Sequence, residues 1–244
     1  MSKLLLPVLF LTSCLIGCSG ESNMEEKTSA PSDQEAALMV RAKAIHASAL
    51  TLDAHADIEI PGKPSSYVGS DGLSKVAPQK MRTGGLDAVV MAIAVGPMPR
   101  NAEGYAAAKA IAQTKLEAVK ALADDKTNKS TIALNSDELI TAHVEGKSAL
   151  VLGFQNALIL GTELDGINTL FNSGVRVFAL THMGHNDFAD SSRTLFDGDT
   201  GTREPDAEHG GLSALGKAAV ERINSLGGIM DISQLSTQAA LQVI

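Results

Sequence analysis

The chain has 244 residues, is 44% hydrophobic and carries a net charge of −8. That length can bury one large core or two small ones. The acidic balance excludes a general nucleic-acid binder, because no basic surplus is available to neutralise phosphates. Aromatic residues make up only 3% and tryptophan is absent, so Ala, Leu, Val and Ile must do most of the packing. Both cysteines, Cys14 and Cys18, lie near the N-terminus, which excludes a disulfide framework or a Cys-based zinc site in the body.

Residues 1–17 read as a secretory signal. Lys3 supplies the positive start, and the apolar stretch 4–16 is too short to span a bilayer comfortably. Leu15-Ile16-Gly17-Cys18 resembles the bacterial lipobox. The resemblance implies cleavage before Cys18 and lipid on its new N-terminus. Ser19 in the next position implies outer-membrane sorting, with the body facing the periplasm. A plain signal peptide with an incidental cysteine is the alternative. Residues 18–34 are expected to be a disordered tether, because the polar stretch 20–34 has almost nothing to bury.

The body, residues 35–244, alternates helices with apolar strands. Leu38, Val40, Ala44 and Ile45 predict an amphipathic helix over 35–50, with His46 as a surface or packing residue. Residues 51–58 form the first expected strand, and 59–79 a long Gly/Pro/Ser-rich loop of the kind that carries substrate contacts. The run 88–95 suits a strand buried on both faces. A helix follows over 103–123. Asn135 with Glu138 resembles a capping box opening another helix, on which His143 is expected to be solvated. Further strands are expected at 148–153, 175–181 and 229–233. Thr162 with Asp165 predicts a second capping box, and Gly174 a helix C-cap. Ser213 is expected to cap a helix running to Leu226, and a last helix starts near Thr237.

Apolar strands alternating with helices mean α/β with a parallel sheet. Polar residues gather where the strands end: His55, Asp57, Gln155, His182 and Gln234. In a (β/α) barrel or a doubly wound sheet, ligands bind at that carboxyl end. The pattern does not separate the two. On a strand, His55 and Asp57 would share a face and begin a metal site, one nitrogen and one charged oxygen donor. His185 and His209 fall in a polar loop; either could be a substitute metal ligand, but solvated histidines are the commoner case there. Asp190 and Arg193 are expected to order that loop. Ser191-Ser192 lack the Gly-x-Ser-x-Gly surroundings of a nucleophile elbow.

The ordered motifs 53–57 (Asp-Ala-His-Ala-Asp), 84–88 (Gly-Gly-Leu-Asp-Ala), 174–182 (Gly-Val-Arg-Val-Phe-Ala-Leu-Thr-His), Asn186, Ala189-Asp190-Ser191, 211–216 and 231–233 resemble the membrane (renal-type) dipeptidases, the M19 metallopeptidases. The resemblance runs from about residue 40 to the end. It implies a (β/α)8 TIM-type barrel, here with about five strands and its C-terminal part missing. It implies zinc, one ion or two, with His55 and Asp57 as ligands of the first. Gln155 stands where the family has a bridging glutamate, and Gln234 where it has a histidine ligand of the second ion. His182 matches a histidine that contacts the substrate and the developing oxyanion. A neutral amide is a poor zinc ligand and cannot move a proton, so Asp57 or a residue beyond Ile244 would have to serve as the catalytic carboxylate. The implied function is zinc-dependent hydrolysis of dipeptides or short peptides in the cell envelope. Expected partners are that peptide, the membrane through the lipid on Cys18, and no nucleic acid, with a homodimer left open. The alternative is a metal-poor or inactive barrel that binds or non-hydrolytically modifies a peptide-like ligand.

Overall fold

The computed structural model describes residues 32–60 and 62–244. The signal segment, Cys18 and nearly all of the expected tether lie outside them. The chain forms two units, one up to Arg41 and one from Ala42 to Ile244. The first described element is α1, Asp33–Ser48, so helix begins inside the last residues expected to be tether. Its start is a capping box: Glu35 N–H donates to Ser32 Oγ, and Ser32 N–H donates back to the Glu35 carboxylate at 2.7 Å. The expected apolar face does not pack; Leu38, Val40 and Ile45 are all exposed.

The second unit is built on a parallel sheet. Its strands are β1 Leu52–Asp57, β2 Ala88–Ala94, β3 Ser130–Ile132, β4 Ser148–Gln155, β5 Val175–Ala179 and β8 Ile229–Asp231; β6 Phe196–Asp197 and β7 Thr202–Arg203 form a separate antiparallel pair. The order is β1-β2-β4-β5-β8, every pair parallel. The five strands expected from the apolar runs are these. β3 is additional: it pairs with Ser148–Leu150 while β5 pairs from Leu152 onward, so both lie along the same side of β4. Three residues are too short a run to signal a strand. The sheet curls. Leu52, Val90, Val151, Val177 and Ile229, one from each of the five main strands, line a single cavity of about 840 Å³. This is the curvature of a (β/α)8 barrel, with five strands of the eight among the described residues.

The core explains the curl. Every residue of β2 is buried, and Phe154 of β4 packs on Phe178 of β5 with ring centroids 5.8 Å apart. Outside the sheet, α3 (Ala102–Asp124) presents Ala108, Ala112, Leu116 and Val119 inward, a helical spacing whose small residues admit close approach. Asn101, Asn135, Ser213 and Ser236 cap α3, α4 (Ser136–Val144), α6 (Ala214–Ser225) and α7 (Thr237–Val243). At α4, the Glu138 carboxylate accepts from Leu134 N–H and Asn135 Nδ2 and completes the box.

Three local expectations are corrected. Thr162 caps nothing: the N-cap of α5 (Asp165–Asn172) is Leu164, two positions after Thr162, and no side chain caps the helix. The loop expected over 59–79 ends in α2, Pro78–Gly84, with proline at the helix start, where its missing N–H costs nothing. His143 is not a solvated residue. Its Nδ1 lies 2.8 Å from Asp87 Oδ1, and Asp87 also accepts from the Thr51 N–H and hydroxyl. These three side chains brace β1 and β2 at their amino ends, the end of a barrel associated with stability.

Two glycines are required by contact. Gly85 ends α2 at φ +72, with the His46 ring against it. A Cβ on Gly216, in the first turn of α6, would sit 1.9 Å from the Phe188 carbonyl oxygen, which fixes α6 against the loop before it. Among the described residues no helix is long and apolar enough to cross a membrane.

Candidate active site

The carboxyl rim of the sheet collects the polar side chains. β1 delivers His55 and Asp57, but not by simple alternation. Asp53 pairs with Val89 and Ala56 with Met91, so β1 carries one residue more than β2 over this stretch. The bulge turns Ala54 and His55, neighbours in sequence, both to the concave cavity. Gln155 ends β4, nearly buried, and lines the same cavity with Gln234. Gln234 follows β8 at φ +63, and its carbonyl is held by Ser192 N–H at 2.9 Å.

His182 follows β5. Burial pushes its pKa below the ordinary histidine value, the Asp57 carboxylate opposes this, and Arg193, His55 and Lys115 add to the depression. His182, His55 and Asp57 therefore share one electrostatic neighbourhood. His182 is neutral at neutral pH and can donate a hydrogen bond through its ring. Tyr67, from the loop after β1, also belongs here: a hydrogen bond to Asp57 raises its phenol pKa.

Four buried polar atoms find no hydrogen-bond partner among the described residues: Glu59 Oε1, Thr181 Oγ1, His182 Nδ1 and Gln234 Oε1. All four lie just past the ends of β1, β5 and β8. Native proteins rarely leave such atoms unpaired away from function. Those of Thr181, His182 and Gln234 lie where the Ser191 hydroxyl comes within hydrogen-bond reach of the His182 and Gln234 carbonyls, whereas Glu59 lines separate cavities beside the loop after β1.

The loop between β5 and α6 is a scaffold. Asp190, fully buried, accepts from the backbone N–H groups of Glu208, His209 and Gly211 at 2.8–3.0 Å. It orders the loop, as expected. His185 is neither solvated nor a ligand. Its Nδ1 accepts from Ser191 N–H at 3.0 Å, so Nε2 carries the proton and donates to the Pro205 carbonyl at 2.7 Å. His209 Nε2 bonds the Asn186 carbonyl at 2.8 Å. The Ser191 hydroxyl donates to the His182 carbonyl at 2.6 Å. Ser191 thus acts through the backbone rather than as a nucleophile. Asn156 at φ +83 bonds Val95 O and, through Oδ1, the Asn186 side chain, bracing the rim from beneath.

The donors present do not complete a zinc centre. Among the described residues no three His, Cys, Asp or Glu side chains converge as a metal cage. His55 and Asp57 are two donors. Gln155 and Gln234 add neutral amide oxygens, and only the latter's oxygen is buried without a partner. A catalytic zinc keeps three strong protein ligands and an open position.

Tyr67, Glu59, Asn156 and Lys115 escape the motif reading. Tyr67 is one of only two tyrosines and sits in the long loop, a signal that was available. Lys115, in the middle of an alanine-rich helix, has none.

A curled parallel sheet with its polar groups at the carboxyl rim defines a barrel-type α/β enzyme scaffold. The chain belongs to the membrane dipeptidase family, peptidase family M19, whose model matches residues 39–244. It is similar to the crystal structure of the probable dipeptidase PvdM from Pseudomonas aeruginosa, with 32% identity and a TM-score of 0.75 over 85% of this chain and 52% of that one. The metallo peptidase from Rhodobacter sphaeroides liganded with a phosphinate mimic of the dipeptide L-Ala-D-Ala shares the fold, at 19% identity and a TM-score of 0.57 over 75% of this chain and 54% of that one. Dipeptidase aclJ of Aspergillus oryzae is 35% identical over 101 residues, which is 41% of this chain and 22% of that protein. The chain thus spans about half the length of the solved relatives it matches.

Proposed function

We propose that the whole protein hydrolyses dipeptides or short peptides at this rim. The observation that carries the reading is the three unpaired buried polar atoms of Thr181, His182 and Gln234, just past the ends of β5 and β8 in a dipeptidase-family scaffold. The solved relative liganded with a dipeptide mimic supports a peptide as the ligand class. In the reaction a water oxygen adds to the peptide carbonyl, the C–N bond breaks, and the amine leaves with a proton. His182 donates to the carbonyl oxygen as it becomes an oxyanion. Asp57 is the carboxylate that would take the water's proton and return it to the amine. Zn²⁺ is the metal of this reading, with His55 and Asp57 as its first donors and Gln155 and Gln234 as weak ones.

The test is amino-acid release from a dipeptide panel by the complete protein, with metal content measured after dialysis. Release that stops with a chelator and returns with zinc is the expected result. No release from any dipeptide would overturn the reading. Release that persists in metal-free protein would favour a metal-poor site, the reading that Gln155 and Gln234 support.

We further propose that the protein is anchored by lipid on Cys18 at the periplasmic side of the outer membrane. The lipobox-like Leu15-Ile16-Gly17-Cys18 supports this. Mass spectrometry of the mature N-terminal peptide should find Cys18 first and diacylated, and an unmodified or internal Cys18 would refute it. Sedimentation of the same sample distinguishes monomer from homodimer.

A further inference from the structure

The parallel pairing of β5 with β8 stops at Ala179 opposite Asp231. His182 and Gln234 follow beyond that point, where no ladder bond between the two strands holds them. Their carbonyl oxygens nevertheless meet at one side chain. The Ser191 hydroxyl donates to the His182 carbonyl at 2.6 Å and lies 3.3 Å from the Gln234 carbonyl. Two carbonyls cannot bond each other, so a donor must stand between them.

The segment around Ser191 is fixed to the β8 side first. Ser191 and Leu235 form an antiparallel bridge. Its two bonds run from Ser192 N–H to the Gln234 carbonyl at 2.9 Å and from Ser236 N–H to the Asp190 carbonyl at 2.8 Å. In such a bridge the central pair exchanges no backbone bond, and its side chains come close. The Ser191 hydroxyl has a single proton. Ser192 N–H already serves Gln234, and the shorter contact is to His182, so the proton goes to His182. The hydroxyl oxygen accepts from Arg193 N–H at 3.1 Å, and Ser191 N–H donates to His185 Nδ1 at 3.0 Å. Ser191 is buried, so bulk water does not compete for these bonds. One side chain therefore joins the end of β5 to the end of β8, where the backbone pairing has given out.

The joined residues carry orphaned side-chain atoms. His182 Nδ1 has no partner among the described residues, so the backbone at 182, rather than a hydrogen bond to Nδ1, sets where the ring points. We propose that Ser191 is a positioning residue: its hydroxyl fixes the His182 backbone beside Gln234 and thereby aims the His182 ring at the reacting carbonyl. The inference rests on the reading of His182 as the oxyanion donor.

The experiment is a double-mutant cycle in the complete protein, with kcat and KM measured on the dipeptide it cleaves best. A donor displaced by about 1 Å can cost about 10²-fold in rate. Ser191→Ala leaves the Ser192 bond in place and should lower kcat about tenfold, with KM within about twofold. In a His182→Ala background the same change should cost less than about twofold, because no ring is left to aim. A purely structural serine would cost the same factor in both backgrounds. Should Ser191→Ala fail to fold, Ser191→Cys, whose thiol is a weak donor of similar size, carries the same cycle. Equal losses in both backgrounds, a loss below about threefold with His182 present, or a loss confined to KM would overturn the inference while leaving His182 in its role. A loss below about threefold for His182→Ala alone would overturn the reading of His182, and the inference with it.

Discussion

Replacing Asp190 by alanine is expected to destabilise the protein by about 3–5 kcal/mol, the range for removing a buried charge that holds several partners. Its side chain is fully buried, and the backbone N–H groups of Glu208, His209 and Gly211 all point at it. Truncation would leave all three donors inside without an acceptor, each costing about 1–3 kcal/mol unless water enters. Asp190→Asn should be milder, because one oxygen remains. Burial would raise the Asp190 pKa, but the N–H groups of Gly211, Glu208 and His209 outweigh it and hold the carboxyl below the usual range. A depressed pKa stabilises the folded state above the unfolded value, about 3.9. That stabilisation is lost as pH falls through the folded value. Urea unfolding should therefore show the full gap between the two proteins at pH 7 and a shrinking gap below about pH 4. Equal midpoints at pH 7 would refute the argument.

His182→Ala is expected to lower kcat/KM about 10²–10³-fold on the dipeptide that the complete protein cleaves best, the loss typical of one oxyanion donor. The fall should appear in kcat, with KM little changed, since the hydrogen bond strengthens only as charge develops on the carbonyl oxygen. Stability should change by no more than about 1 kcal/mol. His182 Nδ1 has no partner among the described residues for the substitution to orphan. The backbone here is held from outside, by Ser191 Oγ on the His182 carbonyl. A loss below threefold would remove His182 from the chemistry. A large loss in the midpoint of unfolding would instead give it a structural role.

Much of this molecule is legible in one dimension. The runs 88–95 and 148–153 are too apolar for anything but buried strands, and β2 and β4 lie there. Asn135 with Glu138, and Ser213, announce helix starts through hydrogen bonds that span three residues. The end of each strand was readable too, so His55, Asp57, Gln155, His182 and Gln234 could be assigned to one rim before any coordinates. These features follow from local periodicity and local bonds, which neighbouring residues specify between themselves.

What could not be read depends on partners far along the chain. The bulge that turns His55 to the cavity exists only in the pairing of β1 with β2. His143 is tied to Asp87, 56 residues away, and Lys115 reaches a carbonyl 21 residues earlier. His185 and His209 sit in a polar stretch, and only the folded loop shows that they bond the Pro205 and Asn186 carbonyls. Thr162 has the right spacing for a cap, yet the turn before α5 places it two positions before the N-cap, Leu164. Patterns along the chain specify which segments become strands and helices, and which residues stand at their ends. The bulge in β1 and the partner of each histidine come from segments that packing brings together, and no local pattern carries that information.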